Sequence, residues 1–279
     1  MVRIQTINKK NIRAIVLTRA IVLIFWVFSA FLQGFSCFLG SSEELKWTKL
    51  ASFSTYFNQN EGGRCENIAL ASRLIDGISI QPYGDFSFNQ TVGKRTVDAG
   101  FKTAKIIQNG EYVMGVGGGV CQVSTTLYNA VLLSGLTVVE YHPHSLAVGY
   151  VAPSRDAMVS SQSDFKVYNP YAFPVRLRLE VKSGCLAVTL YGLRCPAPMF
   201  SYKIVSRKVE EISPPEAEIR EGEENEILRK ERFGVKSESY LERYEKGVLV
   251  SRKLLRKDSY LPIRGIIVKK SEKSGKKSS

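Results

Sequence analysis

Three consecutive glycines, Gly117, Gly118 and Gly119, lead through Val120 into Cys121 and Gln122, which open an apolar run of helical character. A cysteine at a helix start feels the positive end of the macrodipole and N–H groups with no helical partner. Both favour thiolate over thiol and bring the pKa down from about 8.5 into the reactive range. The same N–H groups, with the Gln122 amide, are candidates to hold an oxyanion. Triple glycine lets the backbone turn tightly and lets a substrate approach it closely. A small, buried, unreactive cysteine fits this pattern too. What separates the two readings is whether a base lies within reach.

The chain has two histidines, His142 and His144, 21 and 23 residues beyond Cys121. One helix and one strand intervene, so the fold can return them to the cysteine. A thiol nucleophile needs an imidazole base, itself oriented by a carboxylate or an amide. His144 is the preferred base and His142 the second choice. Asp156 and Asp164 are the candidate orienting acids, and Asn169 offers an amide for the same work. No C-x-x-C or H-E-x-x-H pattern accompanies these residues, so no metal and no cofactor is expected.

The elements that must position them follow from periodicity and turn signals. Arg64–Asp76 reads as a helix with Ile68, Leu70, Ala71, Leu74 and Ile75 on one face, stopped by Gly77. Phe86–Phe88 alternates like a strand, and Asn109-Gly110 between two apolar stretches is a two-residue hairpin turn. Gln122–Ser134 reads as a buried helix ended by Gly135. Thr137–Tyr141 and Leu146–Val151 are predicted strands on either side of the histidines. Val175–Val181 and Leu186–Tyr191 form a second hairpin about Lys182-Ser183-Gly184. This mixed order, without regular βαβ repetition, predicts an α+β domain with a mixed or antiparallel sheet and one buried helix after the glycine turn. Beyond it, the proline-rich stretch 196–215 reads as loose, Glu216–Arg232 as a charged helix or linker, and Val235–Tyr244 with Val248–Arg256 as a further hairpin.

The chain has 279 residues, enough to bury a sizeable core without a disulfide scaffold. Its net charge of +13 sits mostly at the ends: residues 1–19 and 264–279 carry +5 each, leaving +3 for the body. That excludes the body as a basic groove, and no nucleic-acid partner is expected. Residues 20–42 form 23 uncharged positions, long enough at 1.5 Å per residue to span a bilayer. With a basic flank before the run and Glu43 and Glu44 after it, the positive-inside rule predicts a single-pass anchor with everything beyond it outside. The expected organisation is therefore a cytoplasmic flank and anchor at 1–42, a domain at 43–195, a C-terminal linker, charged helix and hairpin at 196–268, and a basic tail at 269–279.

Several spaced motifs occur in order: Phe86-Ser87-Phe88-Asn89, then Gly117 to Tyr128, then His142-Pro143-His144-Ser145, then Asp156-Ala157, with Arg64…Asn67-Ile68 upstream and Asp164…Asn169 downstream. Over residues 53–192 this resembles the VanW family. The resemblance implies an envelope protein of Gram-positive bacteria, of a family named from an accessory gene of glycopeptide-resistance clusters. It further implies L,D-transpeptidase activity through a cysteine, here Cys121, with peptidoglycan stem peptides as partners. Gly117, Gly118, Gly119 and Gln122, with Ser124, Thr125 and Tyr128 of the same run, are the expected substrate-binding residues. A non-catalytic peptidoglycan-binding or envelope-assembly module, with other envelope proteins as partners, is the competing expectation.

Overall fold

A computed structural model of the chain describes residues 46–193 and 200–270. The residues from Trp47 onward belong to one compact unit. The predicted anchor at 20–42 and the basic tail from 271 lie outside the described residues, as does Cys195; among the described residues no helix is long and apolar enough to cross a membrane. The fold is α+β with strands dominating, and nearly all strand pairing is antiparallel.

The central sheet has the order β1 (Trp47–Tyr56), β9 (Cys185–Leu193), β8 (Val175–Lys182), β2 (Ser79–Ile80). In β9 every second residue from Leu186 is buried, and in β8 Val175, Leu177 and Leu179 point the same way. Against this face lies α3 (Val120–Ser134), which is almost wholly buried, and beside it α1 (Gly62–Ile75) contributes Ile68, Ala71 and Ile75. An all-round buried helix needs its polar groups satisfied inside. Here Thr126 Oγ1 meets Thr55 Oγ1 on β1 at 2.8 Å, and the Gln122 Nε2 donates to Thr55 and to the Tyr56 carbonyl. The chain leaves α3 at Gly135, whose φ of 78° accepts the left-handed turn a glycine tolerates.

Four smaller sheets accompany it. The hairpin β4 (Thr103–Gln108)–β5 (Glu111–Val116) turns at Asn109 and Gly110, both with positive φ as a tight two-residue turn requires. β3 (Asp85–Ser87), β7 (Lys166–Tyr168) and β6 (Thr137–Glu140) form a second sheet in that order, and α2 (Phe88–Val92) begins directly after β3. The C-terminal part holds β10 (Phe200–Ile212), β13 (Gly234–Glu245) and β14 (Val248–Tyr260), a long three-stranded ribbon, and a short sheet of β11 (Glu218–Gly222), β15 (Ile266–Lys270) and β12 (Glu226–Arg229).

Several expectations need correction. Residues 146–151 form no strand; they belong to a long connection from Tyr141 to Phe165 with no regular structure. The charged stretch 216–232 is not helical but contains β11 and β12, because Glu and Arg on an exposed ribbon alternate as readily as on a helix. The stretch 196–215, expected to be loose, contains the thirteen-residue β10.

Candidate active site

The glycine turn is built by close packing. Gly117 and Gly119 have φ of 88° and 104°. A Cβ on Gly118 would lie 2.6 Å from the Lys105 carbonyl oxygen, and one on Gly119 would lie 2.8 Å from the Arg64 side chain. Asn67 of α1 secures the turn: its Nδ2 donates to the Gly118 and Lys102 carbonyls at 2.9 Å, while its Oδ1 accepts the Lys102 N–H at 2.7 Å. The glycines therefore admit neighbouring protein backbone, and Cys121, a half-buried residue, emerges as the second residue of α3.

The connection 141–165 would be hard to order by itself, since its backbone polar groups have no ladder to join. One face of α3 supplies the partners. Ser124 Oγ donates to the Ala157 carbonyl at 2.6 Å, and Thr125 Oγ1 accepts the Ala157 N–H at 2.9 Å. Asn129 Nδ2 donates to the Arg155 carbonyl and its Oδ1 accepts from the Arg155 Nε. At the top of this stripe Cys121 Sγ lies 3.5 Å from the Val159 nitrogen. Residues 121, 124, 125 and 129 share one helix face, so the stripe docks the whole segment 155–159 along α3.

That docking brings His144 and Asp156 to the sulfur. His144 is buried, and its Nδ1–H donates to Asp156 Oδ2 at 2.6 Å while its backbone N–H donates to the same oxygen at 2.7 Å. With Nδ1 so engaged, the opposite ring nitrogen is left for Cys121, whose thiol the imidazole lowers. The order is Cys121, His144, Asp156, anchored by the His144–Asp156 hydrogen bond.

Asp156 is in turn held from the C-terminal ribbon. Arg256 Nη2 donates to Asp156 Oδ1 at 2.9 Å and Nη1 to its carbonyl at 2.6 Å, and the Tyr260 hydroxyl donates to Oδ1. Tyr260 also accepts the Ser154 N–H at 2.8 Å. The guanidinium of Arg256 is itself paired with Asp258 and lies over the Tyr141 ring, 4.9 Å from its centroid.

These contacts set the protonation states. Burial pushes the Cys121 thiol up, but the His144 hydrogen bond and charge, the Val159 backbone and the Arg95 guanidinium outweigh it, so the net direction is down from 9.0. Burial pulls His144 down, but Asp156 and Cys121 raise it to about 9. Burial raises Asp156, and His144, Arg256 and Tyr260 together bring it to about 2. Together these shifts favour a thiolate–imidazolium pair beside an ionised carboxylate.

The pair opens on a cleft of about 1160 Å³ lined by Cys121, His144, the glycine turn, the β4–β5 hairpin and Tyr150. Tyr150 stays protonated, since burial and the Cys121 charge raise its pKa. The cleft walls carry Arg64, Lys94, Arg95 and Lys105 against one acid, Glu61, which is already paired with Arg64 at 2.7 Å.

Of the residues expected at the site, Cys121, His144 and Asp156 come together, and Gly117, Gly118, Gly119 and Gln122 border the cleft. His142 does not join them: its ring meets Glu140 at 3.0 Å, on the side where Glu140 also pairs with Lys166. Ser124, Thr125 and Tyr128 are buried against protein and not placed to touch a substrate. Gln122 has both ends of its amide spent, Oε1 on Arg64 and Nε2 on β1, so it is no free oxyanion donor. Asp164 instead accepts from Ser87 and the Asn89 N–H at the start of α2, and Asn169 bonds the carbonyls of Ile80, Gln81 and Phe173. Sequence reasoning missed Asn67, Arg95, Arg256 and Tyr260. The first stood inside a matching motif as an unexplained amide; the last two lie about a hundred residues from Asp156 and give no local signal.

Residues 63–191 match the family model described as VanW like protein. The uncharacterized protein YoaR of Bacillus subtilis is 45% identical over 145 residues, covering 52% of this chain and 48% of YoaR. The vancomycin B-type resistance protein VanW of Enterococcus faecalis is 32% identical over 78 residues, 28% of each chain. The chain thus spans about half the length, or less, of these curated relatives. Among solved structures, an IgA1 protease G5 domain aligns with 28% of this chain and 96% of its own length at 22% identity and a TM-score of 0.19. The G5 domain of HP0197 covers 25% of this chain and 97% of its own at 24% identity and a TM-score of 0.14. Residues 63–191 thus form a VanW-like domain.

Proposed function

We propose that this domain is a cysteine acyltransferase acting on peptidoglycan stem peptides, with the character of an L,D-transpeptidase, held outside the cell membrane by the segment 20–42. The observation that carries the reading is the Cys121–His144–Asp156 relay opening on the cleft. The Cys121 thiolate attacks the carbonyl carbon of the third stem residue. The Val120 and Gln122 N–H groups are taken by the Gly117 and Gly119 carbonyls, so the N–H of Cys121 itself is the first-turn donor for the oxyanion. The C–N bond breaks as the His144 imidazolium gives its proton to the leaving amine, and a thioester remains. An acceptor amine then attacks the thioester, His144 takes the proton, and the thiolate leaves; water in place of the amine gives hydrolysis.

The test is intact-mass analysis of the purified chain with a tetrapeptide stem. An acyl adduct on Cys121, absent in Cys121→Ala, is the expected result. His144→Ala should slow adduct formation about 10²–10⁴-fold, and adding it to Cys121→Ala should change nothing further. A chain that binds stem peptides equally well with and without Cys121, and never forms the adduct, is a binding module and not this enzyme.

A further inference from the structure

Arg95 is a half-buried cation with too few partners. It follows α2, and its Nη1 donates to Asn89 Oδ1 at 2.6 Å and, at 3.4 Å, to the Gly93 carbonyl. Asn89 is fixed in its turn by the Ser160 and Ser163 carbonyls, each 3.0 Å from its Nδ2. The stem of Arg95 packs on the glycine turn: a Cβ on Gly117 would stand 3.1 Å from the Arg95 Cβ. The guanidinium faces the cleft near enough to Cys121 for each to feel the other's charge. Yet among the described residues no carboxylate forms an ion pair with Arg95, and no protein acceptor meets its Nε or Nη2.

Cys121 and Asp164 act on this guanidinium only through space; partly withdrawing it from water without a direct ion pair is costly, and a fold keeps such a group where an anion will meet it. The free Nε–Nη2 edge is the flat, two-donor fork that matches a carboxylate. Lys94 and Lys105 on the same cleft raise the local positive potential, and Glu61, the one acid there, is committed to Arg64. Position selects which carboxylate. A single residue spans at most about 3.6 Å of chain, so a cation bordering the nucleophile reaches the residue beside the attacked carbonyl and not a distant one.

We propose that Arg95 binds the free terminal carboxylate of the residue expelled when Cys121 is acylated, and so restricts the acyl donor to peptides that end one residue past the attacked carbonyl. This assignment rests on the acyl-transfer reading above. Its consequence is selectivity: an internal peptide bond, which has an amide where the carboxylate should be, leaves Arg95 unpaired and is refused.

The experiment compares two donors of identical sequence, a tetrapeptide stem with a free terminal D-alanine carboxylate and the same stem ending in D-alaninamide. The rate of Cys121 acylation is followed by intact mass. The wild-type chain should favour the carboxylate by about 10²-fold or more. Arg95→Gln should bring that ratio close to one by slowing the carboxylate donor, and Arg95→Lys should retain part of it, since a point charge remains without the fork. Because each ratio is internal to one protein, any general loss of thiol reactivity in a variant cancels. If Arg95→Gln does not fold, the wild-type ratio and Arg95→Lys decide. Equal acylation by both donors in the wild type, or an unchanged ratio in Arg95→Gln, overturns the assignment and leaves acyl transfer standing. No acylation by either donor overturns both.

Discussion

At the scale of single residues, the chemistry turns on a thiol lowered and an imidazole raised by the same contact. His144 holds its proton to about pH 9, and the same imidazole lowers the Cys121 thiol, so the two shifts together favour the reactive ion pair. Iodoacetamide should therefore alkylate Cys121 faster than Cys65 or Cys185 at the same pH. His144→Ala should return the Cys121 rate to theirs, and His142→Ala should leave it unchanged, because the His142 ring is occupied with Glu140. A pH series in which Cys121 tracks the other cysteines would remove the physical ground for calling it a nucleophile. The choice between histidines shows where residue types ran out. Two imidazoles separated by Pro143 look equivalent in sequence, and only the docking of 155–159 on α3 tells them apart.

Elements with strong local codes were legible: α1 and α3 from apolar periodicity and terminal glycines, and the β4–β5, β8–β9 and β13–β14 hairpins from their turn residues. Ser124 and Thr125 read as substrate-binding residues, whereas with Asn129 they dock a segment that has no periodicity of its own to announce it. The β14 strand was legible as a hairpin arm and silent about Asp156, because a long-range hydrogen bond leaves no mark in spacing. Its contribution can be measured. Asp156 titrates at about 2 in the fold against an ordinary 3.8, so its ionised form stabilises the fold by about 2 kcal/mol above pH 3.8, and this is lost as pH falls toward 2. Tyr260→Phe removes one donor to Oδ1 and strands the buried Ser154 N–H, worth about 1–3 kcal/mol. Its acid-unfolding midpoint, followed by circular dichroism, should move to higher pH than the wild type's. An unmoved midpoint would mean the C-terminal ribbon touches the carboxylate without supporting it.

For the whole molecule, charge and hydropathy speak about place where the folded unit does not. The body carries only +3 of the +13, and the cleft is lined by Arg64, Lys94, Arg95 and Lys105 against Glu61 alone. The remaining excess lies at the two ends, one of them directly before the uncharged run 20–42. A basic flank is held on the cytoplasmic side, and a following acidic pair crosses readily, so the run should leave the cysteine, its base and its cleft outside. That placement also suits the chemistry, since stem peptides are assembled into the wall beyond the membrane. A reporter that is active only outside the cytoplasm, fused after Lys270, should be active in the full chain. Replacing Arg3, Lys9, Lys10, Arg13 and Arg19 together by uncharged residues should reduce that activity, because the asymmetry that orients the run is then gone. A full-length fusion that stays inactive while the protein accumulates in the membrane fraction would place the cleft on the cytoplasmic side, away from any peptidoglycan donor, and the relay of Cys121, His144 and Asp156 would then need another acyl substrate.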